Sequence, residues 1–211
     1  MPYTPYLDAE VERIARRHRR WRRVRAWGSV VVVVLVIAAL WFGRVGTVRD
    51  DVARFDGKWF AIDRVIDGDT LRVMAGGESV PVRLLGIDTP EPNAPGGDAA
   101  TEAARSAVAG KVLLQIDGPR TRDRYGRLLA YVYLSDTEML NRQLVAEGLA
   151  FAYRPKPHPF ARDFESAEAR ARRKQLGLWA HITDEQQPAW RQRWLEEQRQ
   201  LRETARMPWE K

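Results

Sequence analysis

The 211-residue chain contains no cysteine, so it can form neither a disulfide nor a thiolate metal site. That absence fits every compartment and selects none. Histidine is scarce as well: His18, His158 and His181 stand alone, and no two of them sit at metal-ligand spacing. This argues against a histidine-based zinc centre. The charge excess is also confined. The formal net charge is +7, but residues 1–25 carry eight arginines against three carboxylates, which leaves the rest near balance. Bulk basicity is therefore poor support for nucleic-acid binding. Nor does the chain alternate strand and helix as a doubly wound parallel sheet requires. What remains is a chain 45% hydrophobic, long enough for one ordinary globular core with appendages.

One apolar run stands out. Ala26 to Gly43 holds no charged residue, and Val30 to Leu40 is wholly aliphatic. At the helical rise those residues span roughly 27 Å, about the thickness of the hydrocarbon layer. Trp27 at one end and Trp41 with Phe42 at the other suit the membrane interface. The run is expected to be a transmembrane anchor. Arginines crowd its N-terminal side, so the positive-inside rule puts residues 1–25 in the cytoplasm and residues 44–211 across the inner membrane, in an extracytoplasmic or periplasmic location. The alternative is secretion after signal cleavage, which Leu40-Trp41-Phe42-Gly43 serves poorly because small residues are wanted at the cut.

Beyond the anchor, residues 44–57 read as a polar linker and 58–182 as the folded domain. Trp59 to Ile66, Thr70 to Met74 and Val80 to Ile87 alternate like strands and are separated by turn residues. Lys111 to Ile116 and Leu128 to Leu134 add two more. Helices are expected from a cap at Asp98 or Thr101 to about Ala109, over Met139 to Glu147, and over Phe160 to Leu176. Five strands with about three helices give a mainly β, α+β class: a small barrel with helices attached. Residues 183–211 form a charged tail in which Trp190, Trp194 and Leu201 recur at helical spacing, as in an amphipathic helix packed on the domain.

Three segments carry chemistry: Asp67-Gly68-Asp69-Thr70, then Arg83-Leu84-Leu85-Gly86-Ile87-Asp88-Thr89-Pro90-Glu91, then Asp123-Arg124-Tyr125-Gly126-Arg127. Taken singly, Asp69 is an ordinary turn residue, Arg83 an outward strand residue and Arg127 a loop charge. Together they supply oxygen ligands for a hard cation, a carboxylate able to take a proton from water, and two guanidinium groups for phosphate.

These segments, with Leu140-Asn141 and Glu147-Gly148-Leu149-Ala150 following in order, resemble the staphylococcal (micrococcal) nuclease, or thermonuclease, family from about Trp59 to Trp179. The resemblance implies a five-stranded OB-type barrel. It also implies a calcium-dependent nuclease that hydrolyses the phosphodiester bonds of DNA or RNA and leaves 3′-phosphate ends. By the same resemblance Asp69 and Asp88, with the Thr89 carbonyl, would bind Ca2+, and Glu91 would assist the attacking water. Arg83 and Arg127 would hold the scissile phosphate, while Arg124, Tyr125 and Tyr153 would contact the substrate. The loop after Glu91, Asn93-Ala94-Pro95-Gly96-Gly97, lacks lysines that the family often carries there. The rival expectation is a non-catalytic, membrane-anchored module that binds nucleic acid or protein.

Overall fold

A computed structural model describes residues 48–206. The expected span at 26–43 lies outside the described residues; among those described, no helix is long and apolar enough to cross a membrane. The chain divides between Asp50 and Asp51 into two units, and the second, Asp51–Lys211, holds the strands and helices of the folded domain.

Five strands close into a barrel: β1 (Lys58–Asp67), β2 (Thr70–Ala75), β3 (Glu78–Leu84), β5 (Lys111–Ile116) and β6 (Leu128–Tyr133). Their order around it is β1-β2-β3-β6-β5, with β1 returning to pair with β5. All pairings are antiparallel except β3 with β6, which run parallel. Alternation produces the barrel directly. Leu71 and Val73 of β2, Val80, Val82 and Leu84 of β3, and Val112 and Leu114 of β5 are buried in one core. Arg83 falls between two inward residues and so sits on the outer surface of its strand.

The expected strand Val80 to Ile87 is interrupted. Gly86 takes a φ of 74°, a conformation that breaks the ladder and suits glycine. The chain resumes as a short β4 (Ile87–Asp88), paired with β7 (Phe151–Ala152) rather than with the barrel.

Four α-helices follow β4 among the described residues: α1 (Gly97–Ala107), α2 (Leu140–Ala146), α3 (Ala161–Arg173) and α4 (Ala189–Arg206). Neither Asp98 nor Thr101 caps α1, whose N-cap is Gly96; the Thr101 hydroxyl instead donates back to the Gly97 carbonyl at 2.9 Å. The face of α2 that includes Leu140, Leu144 and Val145 enters the core with Asn141. The fully buried Asn141 side chain accepts from the Val132 amide (2.9 Å) and donates to the Leu85 carbonyl (2.8 Å), so it fastens β6 to the segment leading into β4. On the outside of β6, Tyr131 lies edge-on to Phe160 and Phe164, the latter from α3.

Two stretches at the margins pack more closely than their composition suggests. Within the expected linker 44–57, residues 51–55 are helical and Phe55 is wholly buried in the barrel core. Asp51 fastens this segment by a paired contact to Arg122 at 2.8 and 2.9 Å and by the Thr121 hydroxyl at 2.6 Å. At the other end, the expected helical face of 183–211 divides. Trp190 and Trp194 are half-buried, whereas Leu201 is 62% exposed.

Candidate active site

The turn between β1 and β2 holds the first carboxylate. Asp67 Oδ1 accepts from the Asp69 amide at 3.0 Å, which makes Asp67 the turn former. Gly68 is squeezed in that turn: a Cβ there would lie 2.8 Å from the Ala100 Cβ and 2.9 Å from the Thr89 side chain. Asp69 is therefore pressed against the Thr89 segment, and its Oδ2 accepts from the Thr89 amide at 3.0 Å. Register does the rest. Thr70 pairs across β2 and β3 with Arg83, so the guanidinium projects beside Asp69.

Arg83 makes an ion pair with Asp69 through Nη1, and its Nη2 reaches Asp88 Oδ1 at 2.7 Å. The two carboxylates expected to hold a metal thus converge on one positive charge, supplied here by the arginine expected to hold phosphate. From Asp69 the chain of contacts continues outward. The Thr70 hydroxyl donates to Asp69 Oδ1 (3.1 Å) and accepts from Arg127 Nη1 (3.1 Å). A continuous path therefore links Arg127, Thr70, Asp69, Arg83 and Asp88.

Arg127 is aimed by Asp123. The Asp123 carboxylate accepts from Arg127 Nε at 2.7 Å and from the backbone amides of Arg127 and Tyr125. Burial pushes the Asp123 pKa up, but the hydrogen bonds from Arg127 and Tyr125 carry it below the ordinary carboxylate value of 3.8. A depressed folded-state pKa gives stabilisation that is present above the ordinary value and is lost as pH falls through the folded one. Thermal unfolding followed from about pH 6 to about pH 2 should show a steeper acid loss in the wild type than in Asp123→Asn. Equal slopes would mean that this carboxylate contributes nothing to the loop.

The remaining expected residues lie at the rim. Tyr125 is 66% exposed, with the guanidinium groups of Arg124 and Arg127 at 4.7 and 5.5 Å from its ring centre. This forms a cationic and aromatic surface on the loop of residues 120–127. Glu91 is exposed, and its carboxylate has no hydrogen-bond partner among the described residues. Its backbone is tightly fixed, because a Cβ at Gly97 would come within 1.9 Å of the Glu91 carbonyl oxygen. Only glycine fits at that first position of α1.

Two contacts were not legible in the sequence. Asp123 belongs to a quoted motif, but its hold on Arg127 emerges only from the loop geometry. Trp190 comes from the tail: its Nε1–H donates to Asp88 Oδ2 at 2.8 Å, and its ring meets Tyr153 edge-on, with ring centres 5.1 Å apart. No local pattern pointed to a residue 102 positions away.

The family model for staphylococcal nuclease homologues matches residues 81–181. The thermonuclease of Staphylococcus intermedius is 35% identical over 162 residues, covering 72% of this chain and 95% of that protein. The thermonuclease of Staphylococcus hyicus is 34% identical over 162 residues, covering 72% of this chain and 94% of that protein. Endonuclease YncB of Bacillus subtilis (strain 168) is 37% identical over 129 residues, covering 56% of this chain and 60% of that protein. With the closed five-stranded barrel and the motif residues drawn together on its surface, these similarities show that the chain belongs to the staphylococcal nuclease family.

Proposed function

We propose that this nuclease is calcium-dependent and hydrolyses phosphodiester bonds of DNA or RNA to leave 3′-phosphate ends. We also propose that residues 26–43 anchor it in the inner membrane with the catalytic unit on the extracytoplasmic side. The observation that carries the catalytic reading is the unbroken path from Arg127 through Asp69 and Arg83 to Asp88. The location rests on the uncharged run and on the arginines before it.

The residues fit a hard cation. Asp69 and Asp88 offer only oxygen donors and already converge on a single positive charge. Among the described residues, no group of three acidic or histidine side chains comes together. Calcium takes about six to eight oxygens, so the two carboxylates would be joined by the Thr89 carbonyl, water and substrate oxygens. When bound there, the ion would supply positive charge to polarise the phosphoryl group.

The chain's own groups do the remainder. Arg127, held by Asp123, donates to non-bridging phosphate oxygens, and Arg83 does the same once it is released from the carboxylates. Glu91, fixed through its backbone yet open to solvent, accepts a proton from the attacking water. Tyr125 and Tyr153 flank the strand being cut, with Arg124 beside Tyr125.

Right-side-out membrane vesicles carrying the full chain, given external DNA or RNA with calcium or a chelator, test this reading. Cleavage should require calcium and fall by about 10²- to 10⁴-fold in Glu91→Ala, the usual range for a general base. Binding without cleavage would favour the module reading, and cleavage only after the vesicles are opened would reverse the orientation.

A further inference from the structure

The residue that completes the surroundings of Asp88 comes from outside the family pattern. Trp190 lies beyond residues 81–181, on the first turn of α4. It takes the one Asp88 oxygen that Arg83 leaves unused: Oδ1 faces Arg83 at 2.7 Å and Oδ2 accepts from the indole at 2.8 Å. An indole N–H is a donor only, so it can orient a carboxylate without competing for a cation.

The ring is not free to swing away. It meets Tyr153 edge-on, and the next residue, Arg191, is 1% exposed and locked into Glu168 of α3 at 2.7 and 3.1 Å. One turn further on, Trp194 carries the Arg154 guanidinium 4.1 Å from its ring centre, and Arg154 also pairs with Glu168 at 3.0 Å. The helix is thus fastened next to the indole that reaches Asp88 and again one turn beyond it.

We propose that Trp190 is a positioning residue for the cation site. It holds Asp88 by one oxygen so that the other stays turned toward the place Arg83 now fills, and this makes α4 part of the catalytic unit. The inference rests on the reading of Asp88 as a calcium ligand.

The test is calcium titration calorimetry on the full chain in detergent, with melting temperature and turnover measured alongside. Trp190→Phe keeps the ring against Tyr153 and removes the donor. Its calcium Kd should rise by about 10- to 100-fold, the range for losing a group that orients a ligand. Its melting temperature should stay near the wild-type value, and turnover should largely recover at saturating calcium. Trp194→Phe alters the same helix without touching Asp88 and should leave the Kd unchanged.

A Kd in Trp190→Phe within twofold of the wild type overturns the inference. So does an equal rise in Trp194→Phe, which would assign the effect to helix docking rather than to the N–H. Asp88→Ala separates the two levels of the argument. If it binds calcium like the wild type, the site reading itself fails; if it loses binding while Trp190→Phe does not, only the role of Trp190 fails.

Discussion

Replacing Arg83 by alanine should lower kcat/KM by about a thousandfold and, in the same protein, make stability depend more strongly on calcium. The first effect follows from removing a preorganised donor at the charge that develops on phosphate. The second follows from the ion pairs. Among the described residues, Arg83 is the one cation that contacts both Asp69, whose side chain is 4% exposed, and Asp88. Without it, buried Asp69 and half-buried Asp88 lose the positive charge they share, keeping only the neutral donors Thr89, Thr70 and Trp190. A bound cation makes up that charge. A ligand at about a hundred times its Kd adds about 2.7 kcal/mol of stability. In the wild type part of that gain is offset by displacing the guanidinium. The calcium-induced rise in melting temperature should therefore be larger in Arg83→Ala than in the wild type, while activity stays low in both conditions. An equal rise in the two proteins would mean that the arginine and the cation do not share a place.

Arg191→Ala should be the most destabilising single change at the junction of α3 and α4. The Arg191 guanidinium grips both oxygens of Glu168 and donates through Nε to Gln187 at 2.7 Å. It also lies 5.1 Å from the Trp179 ring centre and 5.4 Å from that of Phe151. Burial lowers its pKa and the Glu168 charge opposes that fall, so the pair stands or falls together. Removing one partner of such a pair costs about 3–5 kcal/mol, because the other charge is left buried and uncompensated. Glu168 would keep Arg154 and the Ala152 amide as partners, which places the loss toward the lower end of that range. Equilibrium urea unfolding measures it. A change under about 1 kcal/mol would show that α4 is held by its aromatic contacts instead.

The site was legible where strand register does the assembling. Thr70 and Arg83 are neighbours across one ladder, so motifs thirteen residues apart in sequence had to meet once the meander formed. The barrel was legible for the same reason, since period-two alternation reports which face is buried. Other features depend on contacts that no window contains. The outward position of Arg83 and its place beside Asp69 follow from its strand, but its engagement by a second carboxylate follows from the bend at Gly86, after which Asp88 meets it. Phe55 and Asp51 sit in a stretch of linker-like composition, yet one fills the core and the other clamps Arg122. Trp190 read as one point on a helical stripe, and nothing local distinguished it from Trp194.

Closure of the barrel has a further consequence. Each of its five strands has two ladder neighbours, and the two strands outside it, β4 and β7, are only two residues long. The ladders are offset along the barrel: Lys58–Ala61 of β1 pair with β5 and Ala61–Asp67 with β2, while Glu78–Pro81 of β3 pair with β2 alone, so parts of β1 and β3 keep one open side. Those open stretches carry Lys58, Asp63, Arg64, Asp67 and Glu78, and for chains tethered side by side on a membrane as proposed, such charges disfavour the addition of a second copy's strand.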